Sequence, residues 1–189
     1  MSQRLLLKAG ALLLGYPDRD RFGAVLRALG EIAETPARQL LERFLESALA
    51  LPETELEAQY VAVFDFREEF SLYLTFQESG DARDRAPALL ALKQELRLGG
   101  FACPADELPD YIPLLLEFLA ERPEDHDVQE LERRLARALA GIAGRLDKDA
   151  LHLPLLQAIL TVLPADVVAA EVPRGDQEDL SLPYPLRYL

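Results

Sequence analysis

The sequence predicts an all-α protein, a single-domain helical bundle of about eight helices. Leucine and alanine dominate the composition, whereas the β-branched residues that favour strands are scarce. Helix start and stop signals divide the chain at short intervals, and one segment carries an apolar stripe at helical spacing over several turns. The length of 189 residues suits one domain.

Four helices are predicted in the first part of the chain. The first ends before Pro17, and one of its faces carries Leu5, Leu6, Ala9, Leu12 and Leu13. Asp18 caps the second helix, which extends to about Ile32. Thr35 is an N-cap followed by proline at the first helical position, where the missing N–H costs no hydrogen bond. A fourth helix opens at Pro52 and carries Leu56, Tyr60, Val63 and Phe64.

The helical period fades from Asp65 to Ala86, which predicts a short helix between two loops. Pro87 then starts a helix that Gly99 and Gly100 end. Further helices are predicted over residues 106–120, 124–146 and 148–163. The clearest apolar stripe consists of Val128, Leu131, Leu135, Leu139, Ile142 and Leu146. The composition changes at Pro164, which predicts a helical domain over residues 1–163 and a loose, acidic, proline-containing tail over 164–189, with a short helix at 166–171.

The net charge of −13 restricts the possible partners. Phosphate backbones and anionic lipid repel such a chain, so nucleic acid and membrane surfaces are poor partners, and no apolar run is long enough for membrane insertion. A basic peptide would be attracted, although surface acid also serves solubility alone. The single cysteine, Cys103, cannot form an internal disulfide, which fits a reducing cytosol.

Catalytic and metal sites have little support in the sequence. His126 lies among three acids, but helical metal sites of this kind need several histidines and the chain has two, His152 being the other. Paired carboxylates such as Glu68 and Glu69 are expected by chance among 33 acids. The glycine pairs lack the spacing of phosphate-binding loops, and no hydroxyl lies on a nucleophile elbow. We therefore predict a binding protein with no catalytic residue, bound metal or cofactor.

Two features in the middle of the chain indicate a binding surface. Asp81, Arg83, Asp84 and Arg85 place two guanidinium groups and two carboxylates just before a helix. Such a network either locks a loop to the core or forms a polar floor beside a peptide groove, and the structural role is favoured. The second feature is an aromatic cluster, which suits an apolar groove for an amphipathic helix as well as core packing: Phe64, Phe66, Phe70, Tyr73 and Phe76.

Several strings in this order resemble the NarJ-type assembly chaperones of respiratory nitrate reductase. They are Leu14-Gly15-Tyr16-Pro17-Asp18, Gln59-Tyr60 with Phe64-Asp65, Ser71-Leu72-Tyr73-Leu74, residues 80–85, residues 107–113, and Leu116-Glu117-Phe118-Leu119. The resemblance spans about residues 5 to 160. The chain departs from the family pattern at Ala86-Pro87, where glycine is usual, and at Thr75-Phe76-Gln77, where a histidine is common.

The resemblance implies a cytoplasmic chaperone that binds the catalytic, molybdenum-containing subunit in its apo form, including the leader-like N-terminal peptide. It implies that the client stays competent for cofactor insertion before membrane docking. We expect the peptide groove to be lined or supported by Phe64, Tyr73, Phe76, Tyr111 and Phe118, with Asp65, Asp110 and Glu117 facing basic residues of the peptide. We expect a structural polar network of Asp81, Arg83, Arg85, Glu107 and Pro109.

Three alternatives remain at this stage. A sister chaperone would serve another molybdoenzyme, such as a dimethyl sulfoxide or trimethylamine oxide reductase, and only the leader sequence of the client would distinguish it. A small metal-dependent helical hydrolase would carry stoichiometric metal. A structural subunit would co-purify with the mature enzyme.

Overall fold

The computed structural model of the chain describes residues 2–30, 33–78 and 82–164. Within these ranges there are nine α-helices, one short 3₁₀ helix at Glu68–Phe70 and no strand, which confirms the all-α prediction. The helices are α1 (Ser2–Leu14), α2 (Arg19–Leu29), α3 (Pro36–Ala50), α4 (Glu53–Phe64), α5 (Leu74–Glu78), α6 (Ala82–Leu98), α7 (Ile112–Glu121), α8 (Gln129–Arg145) and α9 (Leu153–Leu160). The predicted tail, apart from Pro164, and the predicted helix at 166–171 lie outside the described residues.

Local signals fix several helix ends as the sequence predicted. The side chains of Asp18 and Thr35 accept hydrogen bonds from the backbone N–H groups three residues further on. Gly100 has a φ of +75°, and Phe101 N–H donates to the Leu96 carbonyl at 2.8 Å. This is a Schellman ending, in which a left-handed glycine turns the chain sharply away from the helix.

Four helix starts differ from the prediction, and two of these, at α8 and α9, lie five residues later than predicted. The sixth helix begins at Ala82, so Pro87 lies inside α6, where its missing N–H removes one backbone hydrogen bond of the helix. The helix predicted from residue 106 begins instead at Ile112. Here the backbone pairs with another segment, because Ile112 N–H donates to the Leu72 carbonyl and Leu74 N–H donates to the Asp110 carbonyl, each at 2.8 Å. Because these N–H and C=O groups are already paired with a distant segment of the same chain, they cannot take part in the first turn of a helix.

The core lies where α1 packs on α7 and where α3 packs on α9. The α8 stripe is buried as predicted except Leu146, which is half-buried. The predicted inward face of α1 was partly wrong: Leu5 is 47% exposed, and Leu12 is only partly buried. The buried face of the helix is wider than predicted and includes Leu7, Ala11 and Leu14, because α7 and α9 cover the helix on two sides.

Gly99 should tolerate no larger side chain. A Cβ atom at this position would lie 2.4 Å from Phe118 Cε2, and Phe118 is fully buried and cannot move aside. We expect Gly99→Ala to lower the free energy of unfolding by about 1–3 kcal/mol, measured by urea denaturation.

The matched control is Gly144→Ala near the end of α8. No atom lies within 4 Å of the position its Cβ would take, so the change should stabilise the protein by about 0.5–1 kcal/mol through the unfolded chain. Equal effects of the two substitutions would contradict the close packing of Gly99 on Phe118.

Candidate functional site: a groove lined by tyrosines

The connection from α6 to α7, residues 101–111, runs beside α5 and α1. Its end is fixed by the backbone pairing described above, which sets Tyr73 and Tyr111 opposite each other. Their ring centroids lie 5.5 Å apart, and the Tyr73 hydroxyl donates to Glu107 Oε1 at 3.4 Å. The pairing therefore fixes the position of the Tyr111 ring relative to its neighbours.

Asp110 forms a buried polar centre next to this pairing. Its side chain is fully buried, and Oδ2 accepts from Thr75 Oγ1 at 2.5 Å and lies 3.5 Å from Arg85 Nη2. Arg85 also donates from Nε to Thr75 Oγ1 at 3.0 Å, and its guanidinium group stacks 4.0 Å above the Phe76 ring. The second oxygen of Asp110 has no hydrogen-bond partner among the described atoms. This network joins α5, α6 and the start of α7.

A groove of about 440 Å³ lies between α1 and the residues that lead into α7. We call it the tyrosine groove. It is lined by Ala11, Leu12, Gly15, Tyr16, Arg21, Pro104, Asp106, Glu107, Tyr111, Pro113, Leu114 and Glu117. Leucine, proline and tyrosine form an apolar floor, and the charged part of the lining consists of three carboxylates and one guanidinium group, that of Arg21. The groove thus combines an apolar surface with local negative charge.

Aromatic stacking extends from the rim into the core. The Tyr16 ring, half exposed, meets Tyr60 edge-on at 5.5 Å, and Tyr60 lies 5.0 Å from Phe64. The Tyr60 hydroxyl donates to the Leu14 carbonyl at 3.4 Å, near the end of α1. Tyr16 therefore presents an aromatic face to solvent while the rings behind it hold it in place.

The phenols of the groove stay protonated. Burial raises the pKa of Tyr111, with a further contribution from Glu107, and outweighs the opposing effect of the hydrogen bond with Tyr60. Partial desolvation, followed by the carboxylates of Glu57, Asp65 and Glu53, raises the pKa of Tyr16. Protonated phenols can donate hydrogen bonds to a ligand, and the acids around them favour a cationic one.

The structure brings some of the predicted groove residues to this site. Tyr111 and Glu117 line the groove, together with Glu107, which was predicted in the polar network. Asp65 is exposed at the end of α4, close enough to Tyr16 to affect its pKa. Glu117 is not a free charge, because Lys8 pairs with it at 2.5 Å and also with Glu121.

The other predicted residues lie behind or beside the groove. Phe64 is packed against His152 at 4.9 Å, and Phe118 is packed between Phe101 and His126. Both rings are buried, as is Asp110, so these three side chains support the site and offer no surface to a ligand. Phe76 is 40% exposed but lies under Arg85, outside the groove lining.

The predicted polar network is described in part. Arg85 contacts Asp110, and Glu107 accepts from Tyr73 and from the Leu108 N–H. Pro109 is half-buried in the connection before Asp110. Asp81 and the side chain of Arg83 lie outside the described residues, so their roles stay predictions.

Sequence reasoning missed Tyr16, Leu12 and Arg21 as groove residues. Tyr16 entered the sequence analysis only within a string shared with the family, yet an aromatic residue between a glycine and a proline at the end of a helix is itself a signal of an exposed ring. A ring held at the exposed end of a helix is available for contact because it cannot pack along the helix face.

Two further observations limit the chemistry of the described part. No group of three or more metal-ligating side chains occurs there, and His126 Nε2 instead lies 3.0 Å from Glu95 Oε1. A larger cavity of about 670 Å³ lies beside Pro164, and among the described residues of its lining Glu132 is the one charged residue and none is aromatic. The tyrosine groove therefore carries more of the chemistry needed for recognition, despite its smaller volume. No described helix is both long enough and apolar enough to cross a membrane.

The sequence profile of the family described as nitrate reductase delta subunit matches residues 28–148. The chain belongs to this family. Together with relatives named NarJ and NarW, this match confirms the resemblance to NarJ-type chaperones.

Several named relatives align with most of the length of this delta-subunit family member. It is 34% identical over 166 residues to the probable nitrate reductase molybdenum cofactor assembly chaperone NarJ of Bacillus subtilis (strain 168), covering 85% of this chain and 89% of the relative. It is 32% identical to the probable chaperone of the same description, NarW, of Escherichia coli (strain K12), covering 92% and 76%. It is 30% identical to NarJ of the same strain, covering 88% and 75%.

Only some of the groove residues fall within the range that matches the family profile. Residues 28–148 include Tyr73, Glu107, Asp110 and Tyr111, whereas α1 and Tyr16 precede that range. The backbone pairing and the buried aspartate thus lie within the part that the delta-subunit family shares. The α1 wall of the groove lies outside that part.

Proposed function

We propose that this delta-subunit family member is a cytoplasmic chaperone without catalytic activity that binds the apo form of the catalytic subunit of respiratory nitrate reductase. Binding includes the N-terminal peptide of the client. The complex keeps the client competent for insertion of its molybdenum cofactor and delays its docking to the membrane. The names of the relatives support the assembly role, and the peptide contact rests on the groove.

The tyrosine groove is the observation that carries the proposal. Its apolar floor, with Tyr16 and Tyr111 at the surface, suits the apolar face of an amphipathic peptide. Its rim carries Asp106 and Glu107, and Asp65 lies nearby, which suits basic residues on the other face of the peptide. Because the client must be released after maturation, moderate affinity is expected, on the order of micromolar to tens of nanomolar.

Calorimetric titration with the N-terminal peptide of the catalytic subunit from the same genome, about 15–30 residues long, tests this site. We expect saturable binding that weakens at high salt, because the rim charges are exposed and screened. Tyr16→Ala should weaken binding about tenfold through loss of one aromatic contact, without unfolding the protein. Phe66→Ala is the matched control, since Phe66 is 81% exposed and does not line the groove.

Two outcomes would contradict the proposal. If neither the peptide nor the whole apo-subunit binds, the assignment of the client fails. If Tyr16→Ala and Phe66→Ala have equal effects, the peptide binds outside the tyrosine groove. A leader peptide from a dimethyl sulfoxide or trimethylamine oxide reductase that binds more tightly would identify a different client.

A further inference from the structure

Helix α6 is weakly packed for its length. Of its described side chains, residues 85–98, Leu92 and Leu96 are buried, whereas Leu90 and Leu98 are each 69% exposed. In α7, by contrast, eight of the ten residues are buried. An apolar helical face left largely uncovered indicates a contact surface for another molecule.

The exposed face of α6 has the opposite charge to the rest of the protein. It carries Lys93 and Arg97 between the two exposed leucines, and residues 85–98 include a single acid, which is half-buried. Its one acid, Glu95, is turned aside toward His126. Within the described part of the chain neither Lys93 nor Arg97 forms an ion pair. A chain of net charge −13 thus presents a basic and apolar strip along one helix.

The strip lies next to the connection that forms one wall of the tyrosine groove. Phe101 N–H in the connection donates to the Leu96 carbonyl of α6 at 2.8 Å. Burial raises the pKa of the Cys103 thiol, although the charge of Lys93 lowers it by a smaller amount. Cys103 in turn lies 3.6 Å from the Glu107 carbonyl, and Glu107 lines the groove. A client held in the groove would therefore be brought close to α6 at high effective concentration.

We propose that the exposed face of α6 is a second docking surface, which binds an acidic, apolar surface segment of the client other than its N-terminal peptide. This inference rests on the proposed function. A basic leader peptide is repelled by Lys93 and Arg97, so the two surfaces select different parts of one partner by charge. The exposed leucines supply apolar contact, and the cations set the orientation and salt dependence.

The test compares three probes: the N-terminal peptide, the whole apo catalytic subunit, and the apo-subunit lacking about its first 30 residues. The variant is Lys93→Glu with Arg97→Glu, and its matched control is Arg27→Glu with Arg43→Glu, which makes the same charge change at exposed positions on α2 and α3. We expect wild type to bind the shortened subunit and the α6 variant to bind it at least about tenfold more weakly. The affinity for the peptide should not change. Leu90→Asn should also weaken binding of the shortened subunit, without any charge change.

Several results would overturn the inference. One is that the shortened subunit does not bind wild type although the peptide does. Another is that the α6 variant and its matched control bind the shortened subunit equally well. Co-sedimentation with anionic phospholipid vesicles, lost in the α6 variant, would replace the protein partner by a lipid surface. A wild-type dimer in sedimentation that the α6 variant abolishes would replace it by a second copy. Failure of all three probes would instead reject the proposed function, and this inference with it.

Discussion

Arg85→Met is expected to lower the free energy of unfolding by about 3 kcal/mol. The substitution keeps an apolar side chain over Phe76 but leaves the fully buried Asp110 carboxylate without its cation. One Asp110 oxygen already has no hydrogen-bond partner among the described atoms, so little compensation is available. The expected loss is at the low end of the range for a broken buried pair, because the Arg85 side chain is 20% exposed.

A double-mutant cycle with Asp110→Asn separates the pair from other effects of each change. In the Asp110→Asn background, Arg85→Met should cost much less, because the neutral amide needs no counter-charge. Urea denaturation followed by circular dichroism gives each free energy. A loss below about 1 kcal/mol for Arg85→Met alone would show that solvent already compensates Asp110.

His152 should make the protein sensitive to mild acid. Its imidazole is buried among Phe44, Tyr60 and Phe64, and this desolvation lowers its pKa to about 4 from the ordinary value of 6.5. Between these two values the unfolded chain binds a proton that the folded chain excludes, so stability falls as the pH falls. By pH 4 the loss from this group should reach about 3 kcal/mol relative to pH 7.

His152→Leu removes this contribution and provides the comparison. The stability difference between wild type and variant should shift in favour of the variant as the pH is lowered from 7 to 4. Proton NMR of the imidazole gives an independent measurement, because the native ring should remain neutral until about pH 4. A native-state titration midpoint near 6.5 would contradict the burial argument.

The fold class could be predicted because its determinants are local. The caps at Asp18 and Thr35, the glycine stop at Gly100 and the α8 stripe each act within a few residues. The late start of α7 could not be predicted, because it depends on hydrogen bonds between residues 72–74 and 110–112. Local sequence carries no record of such a pairing.

The residue types of the candidate site could be predicted better than the direction in which each side chain faces. Glu107 and Tyr111 both line the tyrosine groove, although Glu107 was predicted in the polar network, and peptide binding by Tyr111 stays a prediction. Whether a given aromatic faces the ligand or the core depends on which helix covers it. Phe118 lies under the end of α6, whereas Tyr16 projects from the end of α1. Tertiary packing sets the orientation of both rings.

The two walls of the tyrosine groove come from distant parts of the chain. Leu12 lies in α1 and Leu114 lies in α7, and the whole stretch between them must fold before the groove exists. A peptide seated there acts as a reversible crosslink between these helices and adds RT ln(1 + [L]/Kd) to the stability of the fold. If the proposed function holds, the loaded protein resists proteolysis better than the empty one, and its lifetime in the cell becomes a measure of how much client awaits assembly.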